Sequence, residues 1–182
     1  RQSQKGYLSE DLGSLRPRGI SVQDNPERGR IDAGERRTQE QRFADAVAKA
    51  KQILAETIQY AKEKGMYVIE DGKRNDIGTT MEAYATAHLG KTDVFGEKTE
   101  AFGADALTVN GYLGTDGIKP LLGVCEAEDK GIFVLVKTSN PSSGELQDQK
   151  MESGKTVYET MGEFCEHWGE SVMGKYGYSG VG

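Results

Sequence analysis

Apolar residues along the middle of this chain recur at two spacings, and the alternation between them predicts its elements. Over residues 43–65, Phe43, Val47, Ala50, Ile53, Leu54, Ile58 and Ala61 follow a near-helical repeat, which predicts a long helix with Gly65 at its C-terminal cap. The β-rich run 66–71 predicts a buried strand. Helical spacing returns over 79–90, with Met81, Tyr84, Ala85 and Leu89 on one face, Thr79 and Glu82 at capping-box separation and Gly90 at the end. Residues 104–110 predict a second strand, and a short helix lies within 117–131. Residues 131–139, nearly continuous in apolar side chains, predict a third strand, and 156–175 a further helix.

Strands and helices in strict alternation imply parallel strands joined by crossover helices, an α/β architecture. Continuous apolar strands imply burial on both faces, as in a doubly wound sheet or a barrel. Both place their chemistry at the C-terminal ends of the strands. Each predicted strand here ends in polar residues: Asp71 and Lys73, then Asn110, then Lys137, Thr138, Ser139 and Asn140.

Residues 1–42 break the pattern. They hold eight of the nine arginines, few large apolar side chains and frequent glycine and proline, so they are expected to be irregular or disordered, with the domain occupying 43–182. Acidic residues interspersed among those arginines weaken a reading as a basic arm for an anionic partner. A length of 182 residues suffices for one domain with a sizeable core. A net charge of −6 argues against a general nucleic-acid binder, and no apolar run approaches a membrane span. No signal-peptide pattern opens the chain. Cys125 and Cys165 have no metal-ligand spacing and are expected to be free thiols in a reducing cytoplasm. His88 and His167 stand beside no serine or cysteine motif and are expected at the surface or core edge.

The densest chemistry is the stretch EDGKRNDIGTT, residues 70–80. Asp71 and Lys73 are two apart and share a side of an extended strand end, with Asp76 just beyond. Asp-Gly also signals a hairpin turn, but a helix follows rather than a second strand. A charge array with a chemical task and a solvated charge cluster both fit these residues taken alone.

DGKRNDIGTT resembles the signature of the orotidine 5′-phosphate decarboxylase family, Asp-x-Lys-x-x-Asp-Ile-x-x-Thr, through Asp71, Lys73, Asp76, Ile77 and Thr80. ADALTVNGYLG and GIFVLVKTSNPSSGELQD resemble the next two strand-end segments of the longer bacterial type, and WGESVMGKYGYSGVG the run into the following strand. The resemblance covers about residues 52–182. Asn75 replaces a glycine and Gly111 a proline of the family pattern.

The resemblance implies a (β/α)8 barrel and a lyase that decarboxylates orotidine 5′-phosphate to uridine 5′-phosphate in pyrimidine biosynthesis. No cofactor or metal is implied; the partners expected are the small-molecule substrate and a second copy in a cytoplasmic homodimer. Lys73 would stabilise and then protonate the carbanion, and Asp71 would sit near the departing carboxylate and hold Lys73. Asp76, with Ile77 and Thr80, would reach the neighbouring subunit's site, the aspartate joining its charge network. Ser139 would hydrogen-bond the base, and Asn110 is counted with the substrate-binding residues. The alternatives are a Mg²⁺-dependent sugar-phosphate decarboxylase or aldolase with the same Asp-x-Lys-x-x-Asp core, and a non-catalytic fragment. The family's first strand, its second catalytic lysine and its phosphate-holding strands have no match here; Lys49 and Lys51 lie in the predicted helix. The chain is therefore expected to be part of such an enzyme and nearly inactive alone.

Overall fold

A computed structural model describes residues 33–182, with side chains from residue 38. Two units divide at Val47 and Ala48. The expected irregular segment lies outside the described residues up to residue 32. Its remainder is helical: α1 spans Ala33–Glu63 and starts well ahead of Phe43. Glutamate, glutamine and arginine are good helix formers, and they carry the helix through a stretch that has no apolar face. At its other end Gly65 takes φ 76°, its N–H bonds Lys62 O at 2.9 Å, and Met66 N–H bonds Ala61 O at 3.1 Å. That pair of bonds is a Schellman cap, as the glycine predicts.

In the second unit β1 (Ile69–Arg74), α2 (Gly78–His88), β4 (Ala106–Val109), α3 (Thr115–Glu128), β5 (Gly131–Val134) and α4 (Val157–Gly169) succeed one another. A small antiparallel hairpin, β2 (Thr92–Val94) and β3 (Glu97–Thr99), intervenes after α2. The sheet order is β1-β4-β5, all parallel. Residues 180–182 add a further parallel segment: Ile132 N–H bonds Gly180 O at 2.8 Å and Gly182 N–H bonds Ile132 O at 2.9 Å. Every parallel strand thus neighbours the next parallel strand in sequence, the winding of a (β/α)8 barrel rather than the reversing order of a doubly wound sheet.

The core lies between the outward face of these strands and the helices. Leu107 and Val109 of β4 and Ile132 and Val134 of β5 meet Met81, Ala85 and Leu89 of α2, Ile118, Leu121 and Cys125 of α3, and Trp168 of α4. Each large side chain buried here contributes about 1.5–3 kcal/mol. Trp168 Nε1–H donates to Thr115 Oγ1 at 3.0 Å, fixing α4 against the start of α3.

Four expectations are corrected. Burial on both strand faces fails: Ile69 and Phe133, on the face opposite the helices, remain 47 % and 41 % exposed. That face is open at Ile69 and Phe133, while Ala106 on it is buried. The strands are displaced or shorter. β1 runs on to Arg74 because its pairing with β4 continues there, and β5 stops at Val134, where the chain turns into a loop. The last helix ends at Gly169 and passes into a short 3-10 turn, Glu170–Val172. The capping box at Thr79 and Glu82 does not form: the N-cap of α2 is Ile77, with no side-chain cap bond. Gly78, at φ 53°, turns the chain into the helix two residues ahead of a start capped by Thr79 and leaves Thr79 inside it. A capping box does form at Thr156, whose Oγ1 accepts from Glu159 N–H at 3.3 Å while Glu159 Oε2 accepts from Thr156 N–H at 2.7 Å.

Cys125 and Cys165 are both buried and unbonded to each other, and His88 is buried while His167 is exposed. Among the described residues no helix is long and apolar enough to cross a membrane.

Candidate active site

The end of β1 is irregular in one specific way. Glu70 pairs with Leu107 and Arg74 with Val109, so Asp71, Gly72 and Lys73 together stand opposite Thr108 alone. The strand absorbs the excess as a bulge. Gly72 turns toward the helix side, where an added Cβ would lie 2.9 Å from the fully buried Leu107 Cδ1. Lys73 takes φ 46°, a left-handed conformation that costs a residue with a side chain about 1–3 kcal/mol. Asp71 and Lys73 consequently both project from the open face, more than half exposed.

Thr108 closes the arrangement. Its Oγ1 accepts from Lys73 N–H at 3.0 Å and its hydroxyl donates to Asp71 Oδ1 at 2.8 Å. Lys73 Nζ lies 2.5 Å from both Asp71 carboxylate oxygens. The ammonium, and then the Thr108 hydroxyl, hold the Asp71 carboxyl below its ordinary range, so it stays ionised beside the lysine. What results is a cation fixed in position and open to a ligand on one side. Such a group can stabilise a developing negative charge and hand over a proton.

The neighbouring strand ends extend the site. Asn110 N–H bonds Arg74 O at 2.9 Å, which seats Asn110 next to the bulge, and Asn110 Oδ1 caps the following 3-10 turn through Tyr112 N–H at 2.9 Å. Gly111 fits the packing there: an added Cβ would meet Met161 Sδ at 2.7 Å and Val134 Cγ1 at 3.0 Å. After β5, Gln147 holds Thr138 twice, its Oε1 accepting from Thr138 N–H at 2.9 Å and its Nε2 donating to Thr138 Oγ1 at 2.8 Å. Lys137 is paired with Asp148, and Ser139 is exposed beside the tethered Thr138.

Of the residues the sequence singles out, the structure binds Asp71 to Lys73 directly and seats Asn110 beside them. Asp76, Ile77 and Thr80 lie between β1 and the first turn of α2; Asp76 Oδ1 accepts from Ile77 N–H at 2.9 Å. None of the three is hydrogen-bonded to Asp71 or Lys73 among the described residues. Sequence reasoning misses Thr108 and Gln147. Thr108 is two residues before Asn110 and hence on the same strand face, a signal that was there to use. Gln147 has no local signal, because a loop brings it back to Thr138. Among the described residues no group of three or more His, Cys, Asp and Glu side chains is disposed to hold a metal ion.

The Orotidine 5′-phosphate decarboxylase / HUMPS family profile matches residues 42–175. The orotidine 5′-phosphate decarboxylase of Caldicellulosiruptor saccharolyticus is 50% identical over 131 residues, 72% of this chain and 43% of that protein. That of Rhodopirellula baltica is 46% identical over 129 residues, 71% of this chain and 41% of that protein. Among solved structures, Leishmania donovani OMP decarboxylase superposes with a TM-score of 0.56 at 32% identity, covering 68% of this chain and 44% of that one. The chain thus spans about two fifths of the length of the curated relatives it matches.

Proposed function

The chain belongs to the orotidine 5′-phosphate decarboxylase / HUMPS family, and from that premise we propose that it carries part of the charge array of an enzyme converting orotidine 5′-phosphate to uridine 5′-phosphate and CO₂. This is a carboxy-lyase step of pyrimidine biosynthesis. The observation that carries the reading is the closed set of bonds among Asp71, Lys73 and Thr108 on the bulge at the C-terminal end of β1.

Loss of CO₂ breaks the bond between the ring and its carboxylate and leaves the electron pair on the ring carbon. That anion has no conjugated sink, so fixed positive charge must stabilise it. Lys73 supplies the charge and then its proton, which forms the new C–H bond and leaves a neutral amine. Asp71 orients the ammonium through both carboxylate oxygens and remains ionised throughout. Asn110, directly after β4, and Ser139, in the loop that follows β5, are assigned to contact the substrate. Asp76, Ile77 and Thr80 make no hydrogen bond to Asp71 or Lys73 among the described residues and are assigned to the site of a second copy, which makes the working unit a homodimer. Two buried thiols suit a cytoplasmic setting.

The Mg²⁺-dependent alternative asks Asp71 to ligate a metal, yet both its oxygens accept from Lys73 and one also from Thr108. Turnover is therefore expected to survive EDTA; loss on chelation with recovery on adding Mg²⁺ would move the assignment to that alternative.

The deciding experiment is a chimera in which residues 69–148 replace the matching stretch of the Caldicellulosiruptor saccharolyticus relative. Loss of orotidine 5′-phosphate absorbance is then followed. Turnover should persist and should disappear with Lys73→Ala. A folded chimera without turnover, or a Lys73→Ala chimera with normal kcat, overturns the reading.

A further inference from the structure

The bulge that presents Asp71 and Lys73 begins after Glu70 and ends at Arg74, the last paired residue on each side. Three residues spanning the place of one would be free to slip along β4 unless something fixed both ends. The side chains of Glu70 and Arg74 alternate to the helix side of the sheet, opposite Asp71 and Lys73. There both reach the same residue. His88, in the last turn of α2, meets Glu70 Oε2 through Nδ1 at 2.7 Å and receives a hydrogen bond from Arg74 Nε at Nε2, 3.3 Å away.

We infer that His88 is a positioning residue that staples the two ends of the bulge and so sets where Lys73 and Asp71 stand. This rests on the reading that those two residues carry the chemistry. A guanidinium can only donate, so Nε2 must accept; the ring proton then sits on Nδ1 and is donated to Glu70. One neutral imidazole thereby joins an arginine and a glutamate, each bonded at its own nitrogen.

The ring itself is held. His88 is 4 % exposed, stacks on Phe102 with centroids 5.2 Å apart, and lies beside Tyr84 at 6.1 Å. The Arg74 guanidinium lies over the Tyr84 ring at 5.4 Å, so α2 supplies both the hydrogen-bond acceptor and the aromatic face for that arginine. The backbone of Arg74 is fixed from the other side by Asn110 N–H at 2.9 Å. With Glu70 and Arg74 both fixed, the intervening chain has one short span to fill, and the left-handed turn at Lys73 fills it. Thr108 then acts from the open face on a loop whose ends are already set. The staple is two-sided, which is what an ordinary buried histidine satisfying a single partner would not provide.

The test starts with the unaltered chain, labelled with ¹⁵N-histidine, with exposed His167 as the reference ring. His88 should show a protonated Nδ1 and a bare Nε2; the opposite tautomer overturns the inference. Three variants follow: Glu70→Leu and Arg74→Met each remove one arm, and Glu70→Gln keeps a hydrogen-bonding group. In Glu70→Leu and Arg74→Met, with the signals of residues 157–169 unchanged as proof of folding, the Lys73 carbon shifts should leave their left-handed values. Exchange of the Lys73 amide should quicken about tenfold, the worth of one hydrogen bond. Glu70→Gln should restore both. Unmoved Lys73 signals in folded Glu70→Leu and Arg74→Met overturn the inference, and if neither folds, the tautomer decides alone. The same substitutions in the chimera separate this inference from the functional reading. A displaced Lys73 with kcat lowered about 10- to 100-fold and KM little changed supports both. A displaced Lys73 with undiminished turnover upholds the staple and sinks the role given to Lys73; lowered kcat with Lys73 unmoved does the reverse.

Discussion

At φ 46°, Lys73 occupies backbone that glycine holds without strain. Lys73→Gly gives up only an exposed ion pair with Asp71, and exposed pairs contribute little. The variant should therefore be more stable than the parent by about 1 kcal/mol, read as a higher midpoint of thermal unfolding, and its chimera should not decarboxylate. A lower midpoint would mean that the left-handed turn is not strained. The second residue-scale expectation concerns acid. The Asp71 carboxyl titrates below its ordinary value of 3.8 because Lys73, and then Thr108, bond the ionised form. A depressed carboxyl adds stability that is present above its unfolded value and is lost as pH falls through the lower folded one. The pair should accordingly outlast ordinary aspartates on acidification. The Asp71 carboxyl carbon, followed by NMR, should titrate with a midpoint under 3.8 in the chain and move back up in Lys73→Ala.

At the scale of elements, the two threonines with capping-box spacing make a matched pair. Thr156→Ala removes a cap that exists and should cost about 1 kcal/mol in urea unfolding, whereas Thr79→Ala, inside the first turn of α2, should cost much less. Equal losses would contradict the assigned caps. The pair also shows what was legible in the sequence. The sequence reading singles out Thr79 and not Thr156, and the turn at Gly78 that denies Thr79 the cap is a property of the folded backbone. The same holds elsewhere. The parallel strands and their crossover helices follow from apolar periodicity, which is strong because their outward faces are buried. Sequence reading misses the hairpin at 92–99 because its strands are three residues each and exposed throughout, leaving only the turn at Phe95 and Gly96 as a signal. Asp71 and Lys73 were legible as a motif. Their bulge was not, since it is defined by pairing to β4, more than thirty residues downstream. Ile53 and Leu54 belong to the apolar repeat that predicts α1, yet they stay substantially exposed, and of that repeat only Ile58 is buried.

For the whole molecule, the assignment of Asp76 to a partner's site predicts complementation. Chimeras carrying Lys73→Ala and Asp76→Ala, each inactive, should regain part of their turnover when mixed and allowed to exchange subunits. A mixed dimer gathers both lesions into one site and leaves the other whole; no recovery would place each site within a single chain. The sheet's winding carries a consequence of another kind. β4 pairs with β1, β5 with β4, and residues 180–182 with β5, so each strand of this sheet lies against the parallel strand translated before it, the β2–β3 hairpin standing apart. A ribosome delivers the chain in that same direction. Once β1 has met β4, each later strand of the sheet finds its partner already made, and each completed βα unit offers the next a finished edge on which to dock. Synthesis itself thus becomes an ordering device, in which the nascent chain accretes its sheet from one side while the growing edge stays next to the exit port.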